Sequence, residues 1–198
     1  YGEPKFRDLI LDNLVDIKED GTYRLNLDYF DYCTGLTMTN DRFSSLFGAQ
    51  PRDPETRLTQ REMDLAASVQ SVVEEIVLRL GRSIAAETGE RNLCLAGGVA
   101  LNCVANGKLL RDGAFDNIWI QPASGDAGGS LGAALTAYYG FLEQPRQSNG
   151  AMDGMKGSFL GPRFDRAEVE RRLTDIGASF TTMEPDDTIC RTAEQLAN

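Results

Sequence analysis

The chain is 198 residues long, 41% hydrophobic and 25% charged, the proportions of a globular protein with a real core and not of a disordered segment. Its 20 basic and 30 acidic side chains leave a formal net charge of −10, spread without a basic stripe or an acidic tail, which disfavours binding to nucleic acid. It contains no histidine, so the commonest general base and metal ligand is missing, and any chemistry is expected to use carboxylates, backbone groups or residues outside this sequence.

No apolar run approaches the roughly 20 residues of a membrane span, and Tyr1-Gly2-Glu3-Pro4-Lys5 lacks the basic-then-apolar order of a signal peptide. A cytoplasmic protein without membrane attachment is expected. Cys33, Cys94, Cys103 and Cys190 form no CxxC pair and are expected to be reduced and mostly buried.

In chain order, Phe6, Leu9, Ile10 and Leu14 repeat at helical spacing within residues 5–16, and Glu19-Asp20-Gly21 reads as a turn. Tyr23, Leu25 and Leu27 alternate with polar residues as in a half-buried strand. Residues 31–58 are irregular, rich in Gly, Pro, Thr and Asp, with room for short helical turns. Thr59-Gln60-Arg61-Glu62 forms a capping box for a helix running to about Glu87, with Leu65, Val69, Val72, Val73, Ile76, Leu80 and Ile84 on one face and Gly89 as its stop. Glu74, Glu75, Arg79 and Arg82 read as a solvated face paired within the helix, whereas Arg163, Arg171 and Arg172 have no evident partner.

Leu93 to Ala96 reads as a strand, followed by Gly97-Gly98, a helix through Leu110 and a stop at Gly113. Asn117 to Gln121 is a second strand, residues 122–126 a turn, and Gly128 to Phe141 a small-residue helix able to pack closely on a sheet. The alternation predicts an α/β layer whose ligand site lies at the strand ends. Residues 143–158 have the composition of a linker. Beyond it, a helix over 165–176, a strand over 178–183 and a helix over 186–196 predict the start of a second domain.

Two stretches could carry chemistry. Gly97-Gly98 removes side chains at a strand-to-helix junction, where free amides and a helix dipole would attract an anion. Asn102 and Asn106, one turn apart, could both face the same ligand edge. On local pattern alone, Gly-Gly reads first as a tight turn between packed elements. In Ser124-Gly125-Asp126-Ala127-Gly128-Gly129, Asp126 could ligate a divalent cation beside phosphate, or simply cap the following helix. Both turns would open on the same edge of a parallel sheet.

Asp64-Leu-Ala-Ala-Ser-Val-Gln70, Leu95-Ala-Gly-Gly-Val-Ala-Leu-Asn102 and Pro122-Ala-Ser-Gly-Asp-Ala-Gly-Gly129 together resemble the ATPase lobe shared by sugar kinases, actin-like ATPases and tRNA threonylcarbamoyl transferases. Within that superfamily, Tyr1-Gly-Glu-Pro-Lys-Phe6, Asn102-Cys-Val-Ala-Asn-Gly-Lys108 and Phe159-Leu-Gly-Pro162 are similar to the nodulation protein U and antibiotic O-carbamoyltransferase family. The resemblance implies an α/β fold: residues 1–142 as the C-terminal lobe of an actin-like ATPase (RNase H-like) fold, 143–158 as a linker, and 159–198 as the truncated start of a second, YrdC-like α/β domain. It implies transfer of a carbamoyl group from carbamoyl phosphate, with ATP, through a carbamoyl-adenylate, to a hydroxyl of a sugar, oligosaccharide or antibiotic.

By the same resemblance Gly97, Gly98 and Asn102 lie along the adenosine, with Asn106, Gly125 and Gly128 completing the nucleotide cradle. Asp126 is implied to be one ligand of a divalent metal, iron or magnesium. No catalytic residue is assigned. The family's metal-binding histidines and first phosphate loop are expected before Tyr1, and most of its second catalytic domain after Asn198. The rest of its own polypeptide is therefore an expected partner, and this chain alone is expected to be inactive. Two alternatives are a threonylcarbamoyl transferase acting on tRNA, which the acidic charge disfavours, and a nucleotide-binding module without catalysis.

Overall fold

A computed structural model describes residues 1–146 and 154–197. The chain is a mixed α/β protein that divides into two compact units, Tyr1–Gly150 and Ala151–Asn198. Of the linker expected at 143–158, residues 147–153 lie outside the described residues.

The first unit begins with helix α1 (Arg7–Asn13) and an antiparallel hairpin of β1 (Val15–Ile17) and β2 (Tyr23–Leu25), with Val15 opposite Leu25. The expected half-buried strand is thus shorter and exposed along its length, and Leu27 opens a 3-10 turn instead. Its partner β1 is too short to betray itself by alternation. Helix α2 (Asp41–Leu46) sits in the irregular stretch, its first amides bonded to the Asn40 side chain. Ile10, Leu14, Val15, Phe47 and Val72 form the core, with Phe6 edge-on to Phe47 at 5.6 Å and Phe43 against Phe47 at 4.6 Å.

Helix α3 (Gln60–Thr88) starts where expected: the Glu62 carboxylate accepts the Thr59 amide at 2.9 Å and its hydroxyl at 2.5 Å. It ends at Gly89, whose φ of 69° places it in the left-handed region that glycine tolerates. The predicted apolar face divides. Val72 is buried and Leu65 and Ile76 pack against the core, but Val69 and Ile84 are exposed. Their place inside is taken by Asp64, Ser68, Glu74 and Gly81.

Two of those polar residues hold the N-terminal segment. Asp64, 4% exposed, accepts the Glu3 amide at 2.8 Å, the Lys5 ammonium at 2.9 Å and the Gln60 amide at 2.7 Å. Ser68, fully buried, donates to the Asp64 carbonyl at 2.6 Å and accepts the Phe6 amide at 2.9 Å. A side chain at Gly2 would begin 1.9 Å from the Met63 carbonyl, so this segment lies flat on α3. The motifs at 1–6 and 64–70 are therefore two halves of one contact.

The Glu3 amide first, then the bonds from Lys5 and Gln60, lower the Asp64 pKa to about 2. A carboxylate depressed in the folded state stabilises it fully above its unfolded pKa of about 4 and ceases to do so as pH falls toward the folded value. Acid titration of stability is accordingly expected to steepen between about pH 4 and 2, and Asp64→Asn to flatten that limb while leaving the slope above pH 6 unchanged. Equal slopes in both proteins below pH 4 would contradict it.

After α3 the chain alternates: β3 (Asn92–Leu95), a 3-10 turn (Gly98–Leu101), α4 (Cys103–Asp112) and β4 (Asn117–Ile120), with β3 and β4 paired in parallel from Asn92 opposite Asn117 to Leu95 opposite Ile120. Gly113, at φ 81°, ends α4. Helix α4 packs on α3 where Leu109, 1% exposed, approaches Gly81 so closely that an added Cβ would lie 2.4 Å from its Cδ1. Arg79 pairs with Glu75 within α3 as expected, but Arg82 reaches Asp112 of α4 at 3.0 Å.

Helix α5 (Gly128–Leu135) continues into a π-turn (Thr136–Phe141), and neither buries a residue. The expected close packing on a sheet is not made among the described residues, and Trp119 of β4 and Phe141 are 41% and 84% exposed. All four cysteines are free, as expected, but exposed. The burial expectation fails because Cys94 falls on the open face of β3 and Cys103 on the first turn of α4.

The second unit contains α6 (Arg166–Asp175), capped by Asp165 onto the Glu168 amide, and α7 (Pro185–Ala197). The strand expected over 178–183 is absent: the segment finds no ladder partner among the described residues. Arg171 and Arg172, expected to be unpaired, bond Asp175 and Glu168, and Arg172 also lies over the Phe164 ring at 4.5 Å. No helix among the described residues is long and apolar enough to cross a membrane.

Candidate nucleotide site

Because β3 and β4 are adjacent and parallel, the turns that follow them leave the same edge of the pair. Gln121 donates its amide to the Leu95 carbonyl at 3.0 Å, extending the ladder by one bond. The Gly97 amide then donates to the Ser124 carbonyl at 2.9 Å, tying the two turns to each other. Gly98 and Asp126 thus belong to one joined edge.

Gly97 has φ 101° and ψ 158°, a region essentially restricted to glycine. A Cβ at Gly97, Gly98 or Gly125 would meet nothing within 4 Å, and Gly98 and Gly125 have no positive φ that would by itself exclude a side chain. Open space over bare backbone at both turns is what a ligand approaching the strand ends requires. Gly128 is close-packed, since its Cβ would stand 2.0 Å from the Ala123 carbonyl.

The helix dipoles are placed differently from expectation. The helix after Gly97-Gly98 does not start at once: residues 98–101 form the 3-10 turn, and α4 starts at Cys103 with the Asn102 side chain accepting the Ala105 amide at 3.1 Å. At α5, the Gly128 and Gly129 amides are taken by the Gly125 and Asp126 carbonyls, each at 3.1 Å. Of the amides expected to be free after Gly97-Gly98, those of Ala100 and Asn102 are taken by the Gly97 and Val99 carbonyls and that of Ala105 by Asn102.

Asn102 lines the apolar side of the edge, in a groove of about 610 Å³ with Leu65, Val69, Val73, Gly98 and Val99. Its amide meets Gln70 of α3 head to head, with bonds of 2.9 and 3.1 Å. Asn106 does not share that outlook: it is buried, and its Nδ2 donates to the Ala100 carbonyl at 2.7 Å, bracing the 3-10 turn. One helical turn separates the two residues, but only Asn102 reaches the groove.

Asp126 is exposed and does not cap α5, whose N-cap is Ala127. Its carboxylate has no hydrogen-bond or ion-pair partner among the described residues, which removes the simple capping explanation. No group of three or more His, Cys, Asp or Glu side chains able to hold a metal exists among the described residues. A metal at Asp126 would take its other ligands from elsewhere, and one exposed carboxylate binds a divalent ion weakly. Titration of this chain alone with Fe²⁺ or Mg²⁺ is expected to show no site tighter than about millimolar. Tight binding abolished by Asp126→Asn would contradict that.

The residues that sequence reasoning missed are Asp64, Ser68, Gln70 and Glu74. Gln60, Asp64 and Ser68 recur every four positions on a helix otherwise patterned apolar, a stripe that signals a buried polar contact.

Residues 1–135 match the carbamoyltransferase N-terminus family. The chain belongs to the carbamoyltransferase family. Over its whole length this carbamoyltransferase-family chain is 57% identical to the uncharacterized protein sll1178 of Synechocystis sp.. It is 34% identical to nodulation protein NolNO of Sinorhizobium fredii and 35% identical to nodulation protein NolO of Bradyrhizobium diazoefficiens, again across the whole chain. It spans 32, 27 and 33% of these three relatives.

Proposed function

We propose that this chain is the nucleotide-binding lobe of an ATP-dependent O-carbamoyltransferase, built as part of an actin-like ATPase fold. Residues 1–142 would supply the lobe and residues 159–198 the start of a second, YrdC-like domain. The overall reaction consumes carbamoyl phosphate, ATP and one water: the carbamoyl group ends on the AMP phosphate as carbamoyl-adenylate, and pyrophosphate and phosphate are released. The carbamoyl-adenylate then passes its acyl group to a hydroxyl of a sugar, oligosaccharide or antibiotic, releasing AMP.

The observation that carries this proposal is the Gly97–Ser124 backbone bond, which joins two glycine turns at neighbouring parallel strand ends. Gly98 and Gly125 would let the nucleotide approach the backbone, and Asn102 would lie beside the adenosine. Asp126 would be one ligand of a divalent cation, iron or magnesium, which when bound would neutralise phosphate charge. The described residues do not complete that metal site, so their own part would be to orient the nucleotide and set the turns.

The test uses a longer polypeptide in which this chain is joined to the further sequence that its relatives have, since it spans 32, 27 and 33% of their length. Carbamoyl-phosphate-dependent release of pyrophosphate from ATP is expected from it, followed by AMP and a carbamoylated product when an acceptor oligosaccharide is added. This 198-residue chain alone is expected to release none. Turnover by this chain alone, or pyrophosphate release that ignores carbamoyl phosphate, would overturn the proposal.

A further inference from the structure

Asn102 is held by a closed circuit of side chains that reaches back into α3. Gln70 Nε2 donates one hydrogen to Glu74 at 2.9 Å and the other to Asn102 Oδ1 at 3.1 Å, while Asn102 Nδ2 donates to Gln70 Oε1 at 2.9 Å. Asn102 Oδ1 also accepts the Ala105 amide at 3.1 Å. Glu74 is 8% exposed, and its second oxygen is taken by Lys108.

Each end of the circuit dictates which way the amides face. An ionised carboxylate only accepts, so Gln70 must turn its NH₂ toward Glu74. A backbone N–H only donates, so Asn102 must turn its oxygen toward Ala105. The two demands agree, and together they fill both lone pairs of Asn102 Oδ1. One hydrogen of Asn102 Nδ2 is left without an acceptor among the described residues, on a residue that lines the groove beside Gly98. Burial raises the Glu74 pKa, but the Lys108 and Gln70 bonds outweigh it and hold the carboxyl ionised.

We propose that Gln70 and Glu74 are positioning residues that fix Asn102 as a hydrogen-bond donor, so that it recognises an acceptor atom of the nucleotide and never its exocyclic amine. This rests on the nucleotide-binding function proposed above. An unrestrained asparagine offers a donor and an acceptor together and can rotate to suit either. Here the acceptor half is spent before the ligand arrives.

The experiment labels asparagine and glutamine side chains with ¹⁵N in the longer polypeptide and titrates it with ATP. Gln70→Leu and Glu74→Leu are expected to shift the Asn102 side-chain amide resonances and to weaken ATP binding about fivefold to tenfold, the worth of one misplaced hydrogen bond. Arg82→Met breaks a different tie between α3 and α4 and is expected to lower the melting temperature without moving either readout. If Gln70→Leu and Glu74→Leu lower only the melting temperature, as Arg82→Met does, the circuit is an interhelix tie and the inference fails. If the resonances shift but the unmutated polypeptide binds no ATP, the orientation stands and the nucleotide function falls.

Discussion

Replacing Gly128 by alanine is expected to disrupt the second turn and with it the site. The new Cβ would stand 2.0 Å from the Ala123 carbonyl, a backbone atom with no rotamer to escape into. Either the 122–129 turn or the start of α5 must move, and forcing volume into a packed site typically costs about 1–3 kcal/mol. Since Ser124 in that turn accepts the Gly97 amide, the displacement reaches the first turn as well. ATP affinity of the longer polypeptide is expected to fall at least about tenfold. A Gly128→Ala protein with unchanged melting temperature and ATP binding would show that the turn is not built as described.

The second large effect concerns the N-terminal clasp. Ser68→Ala removes a fully buried hydroxyl that serves two backbone groups and leaves the Phe6 amide without its partner. An orphaned buried amide costs about 1–3 kcal/mol, and Phe6 also packs on Phe47 at the core. Hydrogen exchange is the direct readout: the Glu3 and Phe6 amides are expected to lose protection in Ser68→Ala. Asp64→Ala is expected to release the same segment more completely, since three donors lose one acceptor. Protection at Glu3 and Phe6 equal to that of the unmutated chain would refute the clasp.

The elements written in local chemistry were legible in the sequence. The α3 start follows from Thr59 and Glu62, its end from Gly89, and β3 and β4 from apolar runs bounded by glycine and proline. The convergence of the two turns also followed, because parallel neighbouring strands must leave the sheet on one edge. What the pattern could not reveal depends on partners distant in the chain. Asp64 and Ser68 look like interruptions of an apolar face until residues 1–6 are laid across them. Glu74 reads as a solvated charge until Lys108 and Gln70 reach it.

The failures have the same origin. Asn106 shares a helical face with Asn102 by spacing, but the 3-10 turn at 98–101 bends back over it and claims its amide. Residues 178–183 have a strand's composition, yet a strand exists only where a neighbour supplies the ladder. The exposed cysteines and the uncovered α5 reflect burial that single-chain periodicity cannot assign.

The most direct measurement compares Gly98→Val and Gly125→Val with the unmutated longer polypeptide in an ATP titration, with melting temperature recorded alongside. A Cβ at either position would meet no atom within 4 Å beyond its own chain neighbours, so folding is expected to change by no more than about 0.5 kcal/mol. Loss of ATP binding in both proteins, at unchanged melting temperature, is the predicted result. ATP bound as tightly as before by both would mean that the nucleotide does not lie on these turns.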